Sequence, residues 1–478
     1  MSLSPPAYLA SLQSNIRARP IPWDGAVRAG NLTEDQLKRI RSVDKVRKEQ
    51  RKQTIEKDVN SYSNLLVGGS DGGSVLDKAS KRSDIIQYIL VLATDLINDA
   101  PELAAAILSH PNPYKSFLSF LSQGSEPQDP IPLLSATFLV NLIAISITTS
   151  SRPASRDDEA LPQLYSYLAK LVKNQDGGLQ DIGVQHMSQL LRTTRSKEIF
   201  WKQRADTVDP LFDILRKAAG AAKDNDSTLW SGNASIRSSD TRFGGGVALQ
   251  LMYHVLLVIW QLSFEGELVG EGLEQDQEIV PLYTQLLRMS PKEKTTRLLL
   301  ATLTNLLSTN KETLIATATT ARLPALLSNL SGRHLTDPDL LEDLEALKSI
   351  LEEYTKNQTT FDEYADEVQS GHLRWSPPHR NPTFWRENAR RILEDKNGEL
   401  PKKLAEILSK PWDNDKKVLA IASNDVGNLV KQVPEQRTAL EKLGLKARLL
   451  ELMGDSDESV RWESLKAIGE WMRYTFEK

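Results

Sequence analysis

The chain has 478 residues, 40% of them apolar and 26% charged, with 59 basic against 63 acidic side chains. That length exceeds what one core fills and suggests roughly two to four units, while a net charge of −4 lacks the basic excess of a nucleic-acid-binding protein. The absence of cysteine excludes disulfides, thiolate metal ligands and cysteine nucleophiles, so stability must come from packing.

From the amino terminus, Met1 to Gly30 carries Pro5, Pro6, Pro20 and Pro22 and no apolar stretch that would serve as a signal-peptide core. The basic run from Lys38 to Lys57 is interrupted by Asp44, Glu49 and Glu56, which predicts a surface helix with internal charge pairs. Gly68-Gly69-Ser70-Asp71-Gly72 has the spacing of a serine-hydrolase elbow. That motif needs a strand before its serine, whereas Tyr62 to Val67 reads as helix, so a loop is expected. The strongly apolar runs, such as Val255 to Trp260, reach about a third of the length that crosses a bilayer as a helix, and no direct membrane insertion is expected.

Apolar residues recur along the whole chain at three- and four-residue intervals, and strict alternation is scarce, which predicts an all-α protein. A loose helix ending of apolar, variable, polar and apolar residues recurs through Phe138 to Leu142, Val258 to Leu262, Thr302 to Leu306 and Ala346 to Ile350. With weaker matches its terminal positions are Leu96, Leu142, Leu190, Leu262, Leu306, Ile350, Leu429 and Trp471. Five of the seven gaps lie between 42 and 48 residues, close to the armadillo or HEAT period of about 40 to 47. The expected architecture is an armadillo/HEAT-like helical solenoid.

Two gaps are longer. One contains Lys223 to Gly246, rich in Asp, Ser, Asn and Gly, which reads as an inserted loop. The other contains Thr355 to Pro382, where a periodic helix gives way to Trp375-Ser376-Pro377-Pro378-His379, with proline disfavouring helix at Ser376. The chain is therefore expected to form an amino-terminal solenoid over 1–354, a short hinge or ordered linker over 355–382 and a smaller helical-repeat domain over 383–478. The last domain should close on a hairpin with Leu445, Leu449, Leu450, Leu452 and Met453 facing Val460, Leu465, Ala467, Ile468 and Trp471.

A stacked solenoid presents long binding surfaces and does not usually build a deep catalytic pocket. None of the six histidines forms a helical zinc-protease pair, and His186 and His254 read as core residues. The carboxylates between Asp337 and Glu367 lack the spacing and central glycine of a calcium loop, and most read as a solvated helix face. No enzyme activity, metal or cofactor is expected. One alternative is an armadillo-type adaptor that binds peptides, although Asn141 and Asn305 have no tryptophan one turn earlier.

Trp375-Ser376-Pro377-Pro378-His379 followed by Phe384-Trp385-Arg386-Glu387-Asn388 resembles the junction of the H subunit of the vacuolar-type proton-pumping ATPase. Asn15 to Arg19 with Pro22-Trp23, Gln250-Leu251 with Trp260, Phe361 to Tyr364 and Asn424-Asp425-Val426-Gly427 extend the resemblance over essentially the whole chain. The sequence departs from the family at Asn424, where histidine is frequent, and at Pro434-Glu435-Gln436-Arg437. The resemblance implies a non-catalytic regulatory subunit that couples ATP hydrolysis to proton transport and restrains hydrolysis by the detached cytosolic sector. It further implies a peripheral location on the vacuolar or another endomembrane, on its cytoplasmic side. The implied partners are the peripheral stalk, the large membrane-sector subunit, and a rotor or catalytic-head subunit in the detached state. By position, Lys410-Pro411-Trp412-Asp413-Asn414-Asp415 matches the family's braking loop. Either Trp412 meets the partner or it tucks back onto its own helices.

Overall fold

The computed structural model describes residues 6–69, 73–124, 126–148, 155–220, 247–290, 292–357, 360–412 and 415–473. Helices account for the regular structure, and no β-strand occurs among the described residues. Local chemistry sets many of the boundaries. Thr33 and Gln36 form a reciprocal capping box at the start of Glu34–Val43, and Thr193 and Ser196 do the same for Thr194–Lys202. Asp176 accepts from the backbone amides of Gly178 and Leu179 to open Gly177–Leu190. Residues 223–246 and 70–72, where the sequence predicts loops, lie outside the described residues; Gly68 ends the helix Val59–Val67 with φ 86°.

The chain divides into two compact units, 1–214 with 247–265 and 215–246 with 266–478. In the first, the long helices Ser83–Asp99, Pro130–Thr148, Gly177–Leu190 and Leu249–Ser263 pack in succession. They carry the repeat positions Leu96, Leu142, Leu190 and Leu262, all buried. Polar contacts tie successive layers. Thr137 Oγ1 meets His186 Nε2 at 3.2 Å, Asp181 meets His254 Nδ1 at 2.5 Å, and Gln261 Nε2 donates to the Ser188 carbonyl at 3.0 Å. Burial lowers the His186 pKa to about 4, so the ring is a neutral core group at ordinary pH. The basic run from Lys38 to Lys57 departs from the single self-paired surface helix expected: it spans two helices, Glu34–Val43 and Lys48–Glu56, and while Lys52 pairs with Glu56 inside the run, Arg51 bonds Asp99 at 2.8 Å, with both side chains largely buried, and Arg39 and Arg41 bond Asp35 and Asp24, because packing brings those carboxylates alongside.

The apolar segments are longer in the structure than in the sequence reading. The helix Pro130–Thr148 is long and apolar enough to cross a membrane by length and composition. It reaches that length because Ser135, Thr137 and Asn141 continue the helix between apolar runs, and its residues from Pro132 to Val140 are buried against neighbouring helices. Its apolar surface is that of a core helix.

In the second unit, Glu293–Thr309 packs on Pro338–Asn357, and Lys416–Gln432 on Glu458–Arg473. The expected linker is built largely into this unit. Within 355–382, the helix Thr360–Ser370 buries Phe361, Tyr364 and Val368 in one core with Phe384, Trp385, Leu404 and Ile421. The same helix packs on Lys311–Thr320. The last hairpin also differs from its sequence reading. Leu445, Leu449, Val460, Ala467 and Trp471 face inward as expected, but Leu450 and Leu465 are exposed because no further layer covers that side among the described residues.

Gly427 sets the spacing of the final helix pair: a Cβ there would lie 3.0 Å from the Ala467 Cα and 3.1 Å from its Cβ. Replacing Gly427 with valine should destabilise the protein by about 1–3 kcal/mol through overpacking. Urea unfolding followed by helical circular dichroism would measure the loss, and an unchanged midpoint would contradict this packing.

Candidate partner-docking site

The residues that mark the junction in the sequence meet at one buried cluster. Asn381 caps Pro382–Glu394 by accepting from the Thr383 amide, with proline at the first helical position. Just before it, Pro377 and Pro378 start the single turn Pro377–Arg380, which carries His379 into the core. His379 Nδ1 donates to the Asp425 carboxylate at 2.8 Å, and its Nε2 lies 3.3 Å from Glu367 Oε1. Ser376 Oγ donates to Glu367 Oε2 at 2.6 Å, and the Arg374 amide donates to Glu367 Oε1. Asn424 Nδ2 and Trp385 Nε1 both donate to the His379 carbonyl, at 3.0 and 3.4 Å. Trp375 lies under the Arg380 guanidinium at 4.7 Å, and Tyr364 meets the Trp385 ring edge-on at 5.3 Å.

Burial opposes a charge on His379, but Asp425 and Glu367 outweigh it and raise the pKa from 6.5 to about 10. The imidazole is therefore protonated at neutral pH, with Nδ1 bonded to the Asp425 carboxylate and the Glu367 carboxylate within ion-pair distance of Nε2. It cannot serve there as a general base, and the motif is a structural device. Glu367 is the exception to the solvated acidic face expected between Asp337 and Glu367: it is buried because it faces this imidazolium. By contrast, Asp337 and Asp339 pair with Arg297, a half-exposed residue.

The loop 410–415 emerges from the same core. Trp412 is 9% exposed, and its Nε1 donates to the Ile407 carbonyl at 2.7 Å, so the indole folds back onto the helix that precedes it. Its ring stands edge-on to His372 with centroids 6.4 Å apart. Its φ of 47° places a bulky residue in the left-handed region, which such side chains rarely occupy. The loop is fastened on both sides, by Arg448 Nε donating to the Leu408 carbonyl at 2.7 Å and Lys416 Nζ donating to the Pro411 carbonyl at 3.2 Å. Lys410 and Pro411 are exposed and Asp415 is half-buried, while Asp413 and Asn414 lie outside the described residues. Lys410 also pairs with Glu406 at 3.3 Å. Of the two arrangements open to Trp412 in the sequence, the structure adopts the tucked one, leaving Lys410 and Pro411 outward.

Two family models match the chain in order, each describing the V-ATPase H subunit, over residues 7–351 and 357–476. This chain belongs to the V-ATPase H subunit family. An H subunit of the V-type proton ATPase of Drosophila melanogaster is 28% identical over 98% of this chain and 91% of its own length. A probable H subunit of Oryza sativa subsp. japonica is 25% identical over 94% of each chain. A probable H subunit of Caenorhabditis elegans is 33% identical over 47% of this chain and 49% of its own. Both departures from the family pattern have defined local roles. Asn424 bridges the His379 carbonyl and Asp425, and Glu435, in a single turn of Pro434–Gln436, pairs with Arg390 at 2.5 Å.

Because the folded pKa of His379 exceeds its unfolded value of 6.5, its stabilisation is complete below pH 6.5 and is lost as pH rises through about 10. Melting temperature should therefore fall between about pH 6.5 and 10 in the natural chain, and fall less in His379→Gln. Asp425→Asn, which leaves a buried imidazolium without its partner, should cost about 3–5 kcal/mol at pH 7. A melt of Asp425→Asn superimposable on that of the natural chain would contradict the ion pair.

Proposed function

We infer that the chain is a non-catalytic regulatory subunit of a vacuolar-type proton pump, which couples ATP hydrolysis to proton transport in the assembled complex and restrains hydrolysis by the detached cytosolic sector. The observation that carries this reading is the ordered match of both family models across nearly the whole length. By this reading the protein is held peripherally at an endomembrane through the pump, on its cytoplasmic side. The amino-terminal solenoid docks on the peripheral stalk. The carboxyl-terminal part meets the large membrane-sector subunit in the assembled pump and a rotor or catalytic-head subunit in the detached state.

A brake of this kind need only bind a moving and a stationary part together. Lys410, Pro411, Asp413, Asn414 and Asp415 provide its contact, and Trp412 acts as a positioning residue that holds the loop in shape. Supporting this assignment, the Ile407, Leu408 and Pro411 carbonyl contacts brace the described residues on either side of Asp413 and Asn414. The change of partner acts through 355–382. Because Thr360–Ser370 is packed against Lys311–Thr320, a swing there must separate buried surface. Stronger binding in the other state offsets that cost.

Adding the purified chain to a detached V-ATPase sector lacking its own H subunit should lower ATP hydrolysis, saturating near one copy per complex. A variant with Lys410, Pro411, Asp413 and Asn414 replaced by serine and Trp412 retained should still bind and melt normally but inhibit at least about tenfold less at matched concentration, as expected for loss of about 1.4 kcal/mol of contact. Full inhibition by that folded variant would remove the loop from the mechanism. Absence of binding by the natural chain would remove the pump reading itself.

A further inference from the structure

The first unit holds a groove that helical stacking alone does not account for. One wall is a single face of the helix Ser155–Val172, with Arg156, Glu159 and Gln163 at i, i+3 and i+7; the other is the helix Lys115–Phe120, with Lys115 and Leu118. The space between them is 410 Å³, within the range of small-molecule sites. Tyr114 Oη donates to Asp157 at 2.5 Å at one end, and Tyr167 Oη donates to the Pro127 carbonyl at 2.6 Å at the other. The chain from Tyr114 to Pro127 therefore follows Ser155–Val172 in the same direction. That direction brings Lys115 and Arg156 to the same end of the groove, whose helical wall is about 10 Å long over seven residues.

The charges lining the groove are not matched within the protein. Among the described residues, Lys115, Arg156 and Glu159 form no ion pair. Arg156 Nη1 donates to the His110 carbonyl at 2.7 Å rather than to Glu159 one turn on. The neighbouring carboxylates are engaged elsewhere: Asp157 lines a separate hollow of 200 Å³ and accepts from the hydroxyls of Tyr114 and Ser146, and Asp158 pairs with Arg195 at 2.9 Å. Two cations thus stand across one end of the groove, with one carboxylate about 5 Å farther along. Such a site is complemented by a ligand with two negative charges and one positive. A phosphomonoester carries about −1.5 to −2 charge at neutral pH and offers three oxygens to the two cations, whereas a carboxylate offers one charge and two oxygens. An ammonium group on the same molecule then meets Glu159.

We propose that this groove binds a small phosphomonoester that carries an ammonium group a few bonds from its phosphate. Lys115 and Arg156 hold the phosphate from opposite walls, the guanidinium through the donors that His110 leaves free. Glu159 selects the ammonium, and the apolar surface of Leu118 and Ala160 takes the carbons between the two charged groups. Because the three charged side chains are exposed, each contact is weak and the site works by combining them. The proposal does not depend on the pump assignment.

The test is calorimetric titration of the full chain with O-phosphoethanolamine, with inorganic phosphate and β-alanine as probes that lack the amine or the phosphate. O-Phosphoethanolamine should bind at one site per chain, at least about threefold tighter than inorganic phosphate and at least about tenfold tighter than β-alanine. Lys115→Gln should weaken O-phosphoethanolamine at least about tenfold. Glu159→Gln should leave inorganic phosphate binding unchanged and abolish the preference for the amine. Both side chains are exposed and unpaired, so both variants should melt with the natural chain. Should either variant melt lower, the ratio of the two phosphate probes in the natural chain decides the amine contact without a substitution. No saturable binding below about 10 mM ligand, equal affinity for O-phosphoethanolamine and inorganic phosphate, tighter binding of β-alanine, or binding untouched by both variants would each overturn the proposal.

Discussion

A positive charge held inside the second unit organises what lies around it. His379, wholly enclosed between Asp425 and Glu367, cannot be left with only part of its environment, because a buried ion without its partners costs several kcal/mol. The three residues come from three elements: a proline-started turn, the long helix Lys416–Gln432 and the helix Thr360–Ser370. Satisfying the charge therefore fixes how those elements meet. Trp385, Tyr364 and Phe384 fill the space around it, and Asn424 fastens the same turn through the His379 carbonyl.

From that fixed point the functional surfaces are positioned by packing. The 410–415 loop joins Glu399–Ser409, which packs on Thr360–Ser370, to Lys416–Gln432, which carries Asp425. Trp412 anchors the start of the loop by placing its indole in the core and its N–H on the Ile407 carbonyl. The tryptophan is thus committed to the fold, and the side chains that face outward before it are those of Lys410 and Pro411. The terminal hairpin has the reverse design. Its core face is closed by Gly427 against Ala467, while Trp462 stands in solvent.

Helical stacking explains why such surfaces exist at all. Each layer of a solenoid buries its apolar face only against its neighbours, so the interior layers are satisfied and an end layer is not. In the first unit, Thr137–His186, Asp181–His254 and Ser188–Gln261 show how interior layers also pair their polar groups. The last layer of the second unit has Leu450 and Leu465 at positions that an interior layer would have covered.

Much of this was legible in the amino-acid order. A three- to four-residue apolar period reports a helix, and a period of 42 to 48 residues reports a repeating layer, because both are local or nearly local constraints. The family resemblance was likewise carried by short motifs whose residues are adjacent in the chain. What periodicity cannot report is whether a given apolar face has a neighbour. Leu465 and Ile468 look equivalent in sequence, yet the first is exposed and the second buried, since only the assembled stack decides which side another helix occupies. The same holds for Glu367, read within an acidic helix and found on a different helix from the aspartate with which it shares an imidazolium, and for Trp412, whose two orientations differ only in contacts made after folding. Helix, repeat and family were thus written in the order of residues, while inside and outside were settled by the stack, because burial is a property of the packed chain and not of any segment of it.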